Sequence, residues 1–231
     1  MLILAFETSA KAASAALLEN GKLLGESYQN TGLTHSQTLL VMAEDMLKQC
    51  GRTAREVEAV AVASGPGSFT GVRIGVAAAK GYAWGKNIPC YGVSTLEAMA
   101  QTLGVWSGYV CPVMDARRAQ VYNALFHTEN GVLTRLREDR AIALEDLKKE
   151  LEILNEPIFL VGDGSILCYN TLRTENLVLP PEHRMHQRAV GVGLLAQRLH
   201  DAGIPGDGAA LAPNYLRLSQ AERERLEREQ K

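Results

Sequence analysis

Residues 63–83, ASGPGSFTGVRIGVAAAKGYA, read as the end of a strand, a Gly65-Pro66-Gly67 turn and a helix of small residues. Upstream, VEAVAVAS (57–64) is almost wholly apolar, the pattern of a strand covered on both faces. Ser68 or Thr70 is placed to open the helix, since a hydroxyl there can accept from a backbone N–H of the first turn. Gly71, Gly75, Ala79 and Ala83 recur every four residues and so share one helix face. An interior glycine costs a helix about 1 kcal/mol relative to alanine. A face kept this small is expected to admit another backbone at close range.

The turn fails two nucleotide fingerprints. A Walker A motif needs four residues between its glycines and then Gly-Lys-Ser/Thr, and no lysine follows here. A dinucleotide fingerprint needs glycine where Thr70 stands and an acidic residue after the next strand, where Ser94 stands. The turn retains the capacity of any helix start to offer N–H groups to an anion. Gly65, Gly67, Ser68 and Thr70 are its weak candidates for cofactor contact.

Outward from this stretch, LILAFETS, ASAALLENG and KLLGESYQ read as three strands, with Asn20-Gly21 as the hairpin turn between the last two. Thr34 with Gln37 has the capping-box pattern, opening a helix to Cys50. Leu39, Leu40, Met42, Ala43, Met46, Leu47 and Cys50 form its apolar arc. A strand at Ile88–Val93 closes the unit. The order then restarts: YVCPVMDA, AQVYNALFH and VLTRLRED as strands, Asn130-Gly131 as the turn, ALEDLKKELEIL as a helix and PIFLVGDG as a strand. Glu7 and Asp115 end the first strand of each half. We read a duplicated β-β-β-α-β-α unit, an α/β fold in two lobes of the actin-like, RNase H-like (ASKHA) kind, in which a nucleotide sits between the lobes of the sugar kinases. The expected division is residues 1–104, holding the paired helices, and 105–231, smaller and less regular. Residues 169–188 read as loop-rich, a final helix about 189–202 is expected to pack back on the first lobe, and 220–231 is a charged tail.

The 231 residues carry a net charge of −2, are 46% hydrophobic and show no basic patch of the kind that holds nucleic acid directly. Cys50, Cys90, Cys111 and Cys168 are far apart and form no CxxC, as expected of reduced, buried thiols in the cytoplasm. MLILAFETS lacks a basic leader and reads as a strand, and no run reaches the ~20 apolar residues of a membrane span. His183 and His186 are the only close histidine pair, and their spacing is short for one helix face. No nucleophile motif of the G-x-S-x-G type occurs.

GPGSFTGVRIGVAAAKGYAWGKNIPCYGVSTLE (65–97), with LAFETS, THSQTLL (34–40) and PNYLR (213–217), closely resembles the signature of the TsaB family, also called YeaZ. The likeness runs along the chain and thins over 130–190. It implies an actin-like fold without catalysis or cofactor of its own, ATP belonging to an assembled complex. It implies TsaD as a heterodimer partner and TsaE as a further one. Their joint product is threonylcarbamoyladenosine on the tRNA base beside the anticodon, made from a threonylcarbamoyl-adenylate that another enzyme supplies. Contact with tRNA is then indirect, no membrane is involved, and the isolated chain forms a homodimer. The catalytic relatives carry a metal-binding His-x-x-x-His element, which falls here on Thr95 and Met99, a poor ligand and a soft one. Glu97 reads as a helix cap. The family has Asp where this chain has Glu7. The resemblance also places self-association on the two first-lobe helices. Val41 within the polar arc of the first helix, Met42 at the edge of its apolar arc, and bulky Tyr82 and Trp84 on the second suggest more apolar surface than one sheet needs and independently pick out the same pair. The expected interface is His35, Leu39, Met42, Ala43, Met46, Gly71, Gly75, Ala78, Ala79 and Tyr82. The rival readings are a stand-alone ATP-binding or ATP-hydrolysing protein and, against Thr95 and Met99, a metalloprotease.

Overall fold

The computed structural model describes residues 1–103 and 107–217. The expected lobe boundary at 104/105 and the charged tail 220–231 lie outside the described residues. The first unit is β1 (Leu2–Glu7), β2 (Ala13–Glu19), β3 (Lys22–Gln29), α1 (His35–Gln49), β4 (Ala59–Gly65), α2 (Phe69–Lys86), β5 (Cys90–Ser94) and α3 (Thr95–Gln101). The second is β6 (Gly108–Asp115), β7 (Gln120–Glu129), β8 (Val132–Ala143), α4 (Leu144–Glu152), β9 (Ile158–Val161), α5 (Ser165–Leu172) and β10 (Leu177–Val178), followed by α6 (Glu182–Met185) and α7 (Ala189–Asp201).

The two units build two five-stranded sheets of matching order, β3-β2-β1-β4-β5 and β8-β7-β6-β9-β10. In each, the first strand lies antiparallel to the second and parallel to the fourth. The duplication thus extends one strand further than the β-β-β-α-β-α reading, since β10 stands where β5 stands in the first sheet. The stretch expected to be loop-rich contains the end of α5, β10 and α6. These elements are too short to show a period in the sequence.

β1 is buried along its whole length because both faces of its sheet are covered. Leu2, Leu4 and Phe6 point to the side carrying α1 and α2, and Ile3 and Ala5 to the side carrying α7. Full burial of Phe6 or Ile3 contributes about 1.5–3 kcal/mol each. α3 joins the lobes: Leu96, Met99, Ala100 and Leu103 pack on Val110, Met114, Ala124, Phe126 and Val161 of the second sheet. α7 lies on the first sheet, against β1, β2 and β4.

Two local expectations need correction. The Thr34–Gln37 capping box does not form: Thr34 makes no side-chain cap, and its first turn is closed by the Gln37 N–H donating to the Thr34 carbonyl at 2.9 Å. Gln37 instead lines a groove beside β3. A box forms at Thr53, whose N–H and hydroxyl both donate to the Glu56 carboxylate at 2.7 and 2.9 Å. The second correction concerns Leu40, read within the apolar arc of α1, which is 52% exposed.

Candidate functional site in the cleft and on the paired helices

The C-terminal ends of the parallel strands open into a cleft of about 560 Å³ between the lobes. Its walls carry Ser9, the Pro66–Thr70 turn, Asp115 and Asp163. Ser68 caps α2, its hydroxyl accepting from the Gly71 N–H at 3.3 Å, and its own N–H donates to the Ser9 carbonyl at 2.6 Å. The turn is thereby pinned to the segment after β1. Of the weak cofactor candidates, Ser68 and Thr70 face the cleft beside Gly67, while Gly65 is at the edge of β4 with the Asn214 backbone pressed against it.

Glu7 lies buried behind this wall and accepts from the Ser9 N–H at 2.6 Å, while its Oε2 has no partner. Loss of water raises its pKa to about 7 against the pull of the Ser9 hydrogen bonds, and Asp163 adds to the rise. Burial likewise raises Asp163, which accepts from Gln187 Nε2 at 2.7 Å. Thr95 and Ser165, at the starts of α3 and α5, are also buried with unpartnered hydroxyls. Thr95 and Met99 are both enclosed, Met99 within the α3 seam between the lobes. Among the described residues, no group of three or more His, Cys, Asp or Glu side chains is arranged to hold a metal ion. His183 sits in α6, and His186 follows it in extended backbone.

The cap of α3 is Ser94, and Glu97, expected to be the cap, is not. The Glu97 N–H donates to Ser94 Oγ at 3.1 Å, while its carboxylate accepts from Arg135 Nη2 of β8 at 2.6 Å. Arg135 also reaches Asp139 at 2.7 Å, and Ser94 Oγ donates to the same Asp139 side chain at 2.5 Å. The sequence offered no signal for this link, because its partners lie about forty residues apart.

The small face of α2 looks inward. A Cβ at Gly71 would strike the Thr8 carbonyl, and one at Gly75 the Thr8 hydroxyl and Val62 at 3.2 Å. Ala79 is fully buried. Leu39, Met42, Ala43 and Met46 of α1 are buried in the same cluster. Seven of the residues expected at a partner interface are thus packed inside the lobe, the small ones of α2 where its backbone seats closely and the larger ones of α1 filling the core. His35 is half-buried and bonds the Ala10 carbonyl through Nε2 at 2.8 Å. Ala78 and Tyr82 are half-buried, the Tyr82 hydroxyl donating to the Ala54 carbonyl at 3.0 Å.

The outward surface is different. Leu40 and Val41 on α1 are 52% and 57% exposed, and Trp84 on α2 is 89% exposed. Ala77, Gly81 and Gly85 follow at four-residue spacing on the solvent side of α2. A Cβ at Gly81 or Gly85 meets nothing within 4 Å. Nothing among the described residues therefore requires glycine at either position. All four cysteines are free. Burial pushes Cys90 up to about 11 and Cys168 up to about 12, and raises Cys111 as well, so these three are not thiolate nucleophiles. No helix of the described residues is long and apolar enough to cross a membrane.

Residues 29–222 match the family model described as TsaD: tRNA N6-adenosine threonylcarbamoyltransferase. The chain is 32% identical over 98% of its length to the tRNA threonylcarbamoyladenosine biosynthesis protein TsaB of Bacillus subtilis, covering 99% of that protein. It is 36% identical to the TsaB of Escherichia coli over 71% of this chain and 72% of that one. Among solved structures, YeaZ from Pseudomonas aeruginosa superposes with a TM-score of 0.77 at 26% identity, covering 93% of this chain and 99% of that one. At the level of fold alone, component A of the Acidaminococcus fermentans (R)-2-hydroxyglutaryl-CoA dehydratase aligns with a TM-score of 0.51 at 11% identity.

Proposed function

The chain belongs to the TsaB family of tRNA threonylcarbamoyladenosine biosynthesis proteins, and from that premise we propose that it is a non-catalytic, cytoplasmic scaffold that activates TsaD, with TsaE as a further partner. The observation carrying this reading is the outward face of α1 and α2. Gly81 and Gly85 each cost α2 about 1 kcal/mol relative to alanine, yet among the described residues no group occupies the space they leave open. Leu40 and Val41 of α1 and Trp84 of α2 are also exposed on the outer side of the lobe. A second pair of helices, from TsaD or from another copy of this chain, fits such a face: its backbone approaches over the glycines and its side chains cover the exposed tryptophan. TsaD and a second copy would then compete for one surface.

The absence of catalysis is supported by Thr95 and Met99. They occupy the positions where the resemblance places metal ligands and are enclosed in apolar packing. A nucleotide in this chain's cleft is the second reading. The capped turn favours it, and Glu7 in place of Asp, held above the usual carboxylate range, opposes it. In this scheme ATP belongs to the assembled complex.

The test is co-purification with TsaD, using Gly81→Leu and Trp84→Glu. Both side chains point to solvent, so the variants are expected to fold and to lose TsaD by at least 100-fold in Kd. Undiminished binding by both would remove this surface from the scheme. Calorimetry with ATP and magnesium on the isolated chain is expected to give no heat, and micromolar binding would restore the second reading.

A further inference from the structure

The PNYLR segment, Pro213–Arg217, plays no part in the partner surface or in the fold of either sheet. It ends a strap that leaves α7 and crosses the first lobe. Lys80 Nζ donates to the Leu211 carbonyl at 2.8 Å, and the Leu211 side chain packs into the core beside α2. The Asn214 N–H then donates to the Ser64 carbonyl at 2.6 Å. Its own carbonyl presses on Gly65, whose φ of +123° and lack of a side chain permit the approach.

Beyond Asn214 the strap lines the cleft. Tyr215 stacks on Phe69, the first residue of α2, with ring centroids 4.4 Å apart. Arg73 Nε donates to the Tyr215 hydroxyl at 2.7 Å, and its guanidinium lies 3.9 Å from the Phe69 ring centre. Arg217 crosses to the other lobe, where Nη1 donates to the Ala116 carbonyl at 2.5 Å and to the Arg117 carbonyl at 3.4 Å. Those carbonyls belong to the turn between β6 and β7. There Arg117, Arg118 and Ala119 hold φ of 62°, 55° and 55° in succession. Three consecutive left-handed residues with side chains are a strained arrangement.

This tie between the lobes differs in kind from the α3 seam. The α3 seam is a buried apolar cluster, while Tyr215 is 39% exposed and Arg217 is half-buried. We propose that Asn214–Arg217 is a displaceable latch: it spans the interlobe cleft from the glycine turn and, through Arg217, holds the strained 117–119 turn of the second lobe. Letting go at Arg217 relaxes that turn and opens the cleft while the α3 seam keeps the lobes joined. The device is independent of whether α1 and α2 bind TsaD.

Hydrogen exchange read by mass spectrometry on the full chain tests it. In Arg217→Ala, amides of 116–120 and of Asn214 are expected to exchange at least 10-fold faster, with β1, β6 and α3 unchanged. Tyr215→Phe, which removes only the hydroxyl that Arg73 meets, is expected to speed Asn214 by a smaller factor. Ala119→Gly accepts a positive φ without strain and is expected to restore protection of the turn in the Arg217→Ala background. Unchanged exchange at 116–120 overturns the latch. So does an Arg217→Ala chain that exchanges faster throughout or fails to fold, since the strap is then part of the fold itself. Failure of Ala119→Gly to restore protection overturns the role of strain.

Discussion

At the scale of single residues, Glu7 links burial to pH. In the unfolded chain its carboxyl ionises near 4.5, whereas in the folded protein it holds its proton to about pH 7. Between those values the native state binds more protons than the unfolded one, so stability falls as pH rises and levels off above 7. A gap of this size corresponds to a loss on the order of 3 kcal/mol. Glu7→Gln keeps the shape and removes the ionisation. In urea melts it is expected to lack the decline between pH 5 and 7.5 and to exceed the parent at pH 8. A parent and variant with parallel pH profiles would mean that Glu7 titrates normally.

Glycines 71 and 75 give a second residue-scale prediction. Overpacking typically costs about 1–3 kcal/mol, and here the obstruction is backbone at Gly71 and the buried Thr8 side chain at Gly75. Gly75→Ala is expected to destabilise by that amount, read as a lower denaturant midpoint with an unchanged m-value. Gly81→Ala has open space and a helical backbone and is expected to stabilise by about 0.5–1 kcal/mol. Opposite signs on one helix identify which glycines serve the fold. The small residues of α2 were plain in the sequence, but their facing was not. Spacing states that Gly71, Gly75 and Ala79 share a side, and only the position of Thr8, over sixty residues earlier, states that the side is inward.

At the scale of elements, strands and long helices were legible because each has a period and a stop. Asn20-Gly21 and Asn130-Gly131 mark two hairpins, and all four of these residues have positive φ. α2 ends where Asn87 turns left-handed at φ 52°. β10, of two residues, and α6, of four, have neither period nor cap and were hidden. Also invisible was the link through Ser94, Glu97, Arg135 and Asp139, which ties α3 of one lobe to β8 of the other. Partial exposure limits its worth. A double-mutant cycle on Glu97→Ala and Arg135→Ala is expected to give a coupling of about 1 kcal/mol that shrinks in high salt. Zero coupling would leave the α3 cluster as the sole tie on that side.

At the scale of the whole molecule, the duplication gives two sheets facing a cleft that carries a capped turn, with the buried Glu7 carboxyl behind it. Histidine is absent where the resemblance places it, at Thr95 and Met99. The two sheets frame a cleft, while the outer helices present apolar surface that the described residues leave uncovered. The sequence revealed the duplication through repeated order and repeated turns. It did not reveal the strap that lines the cleft, because PNYLR lies more than a hundred residues from the turns it touches and has no period of its own. The most direct test of the scaffold reading is reconstituted threonylcarbamoylation of tRNA by purified partners, with this chain omitted, added, or added as Trp84→Glu. We expect no product from this chain alone, product from the partners only when it is present, and loss of that product with a folded Trp84→Glu chain. Equal product without this chain, or undiminished product with Trp84→Glu, would contradict it.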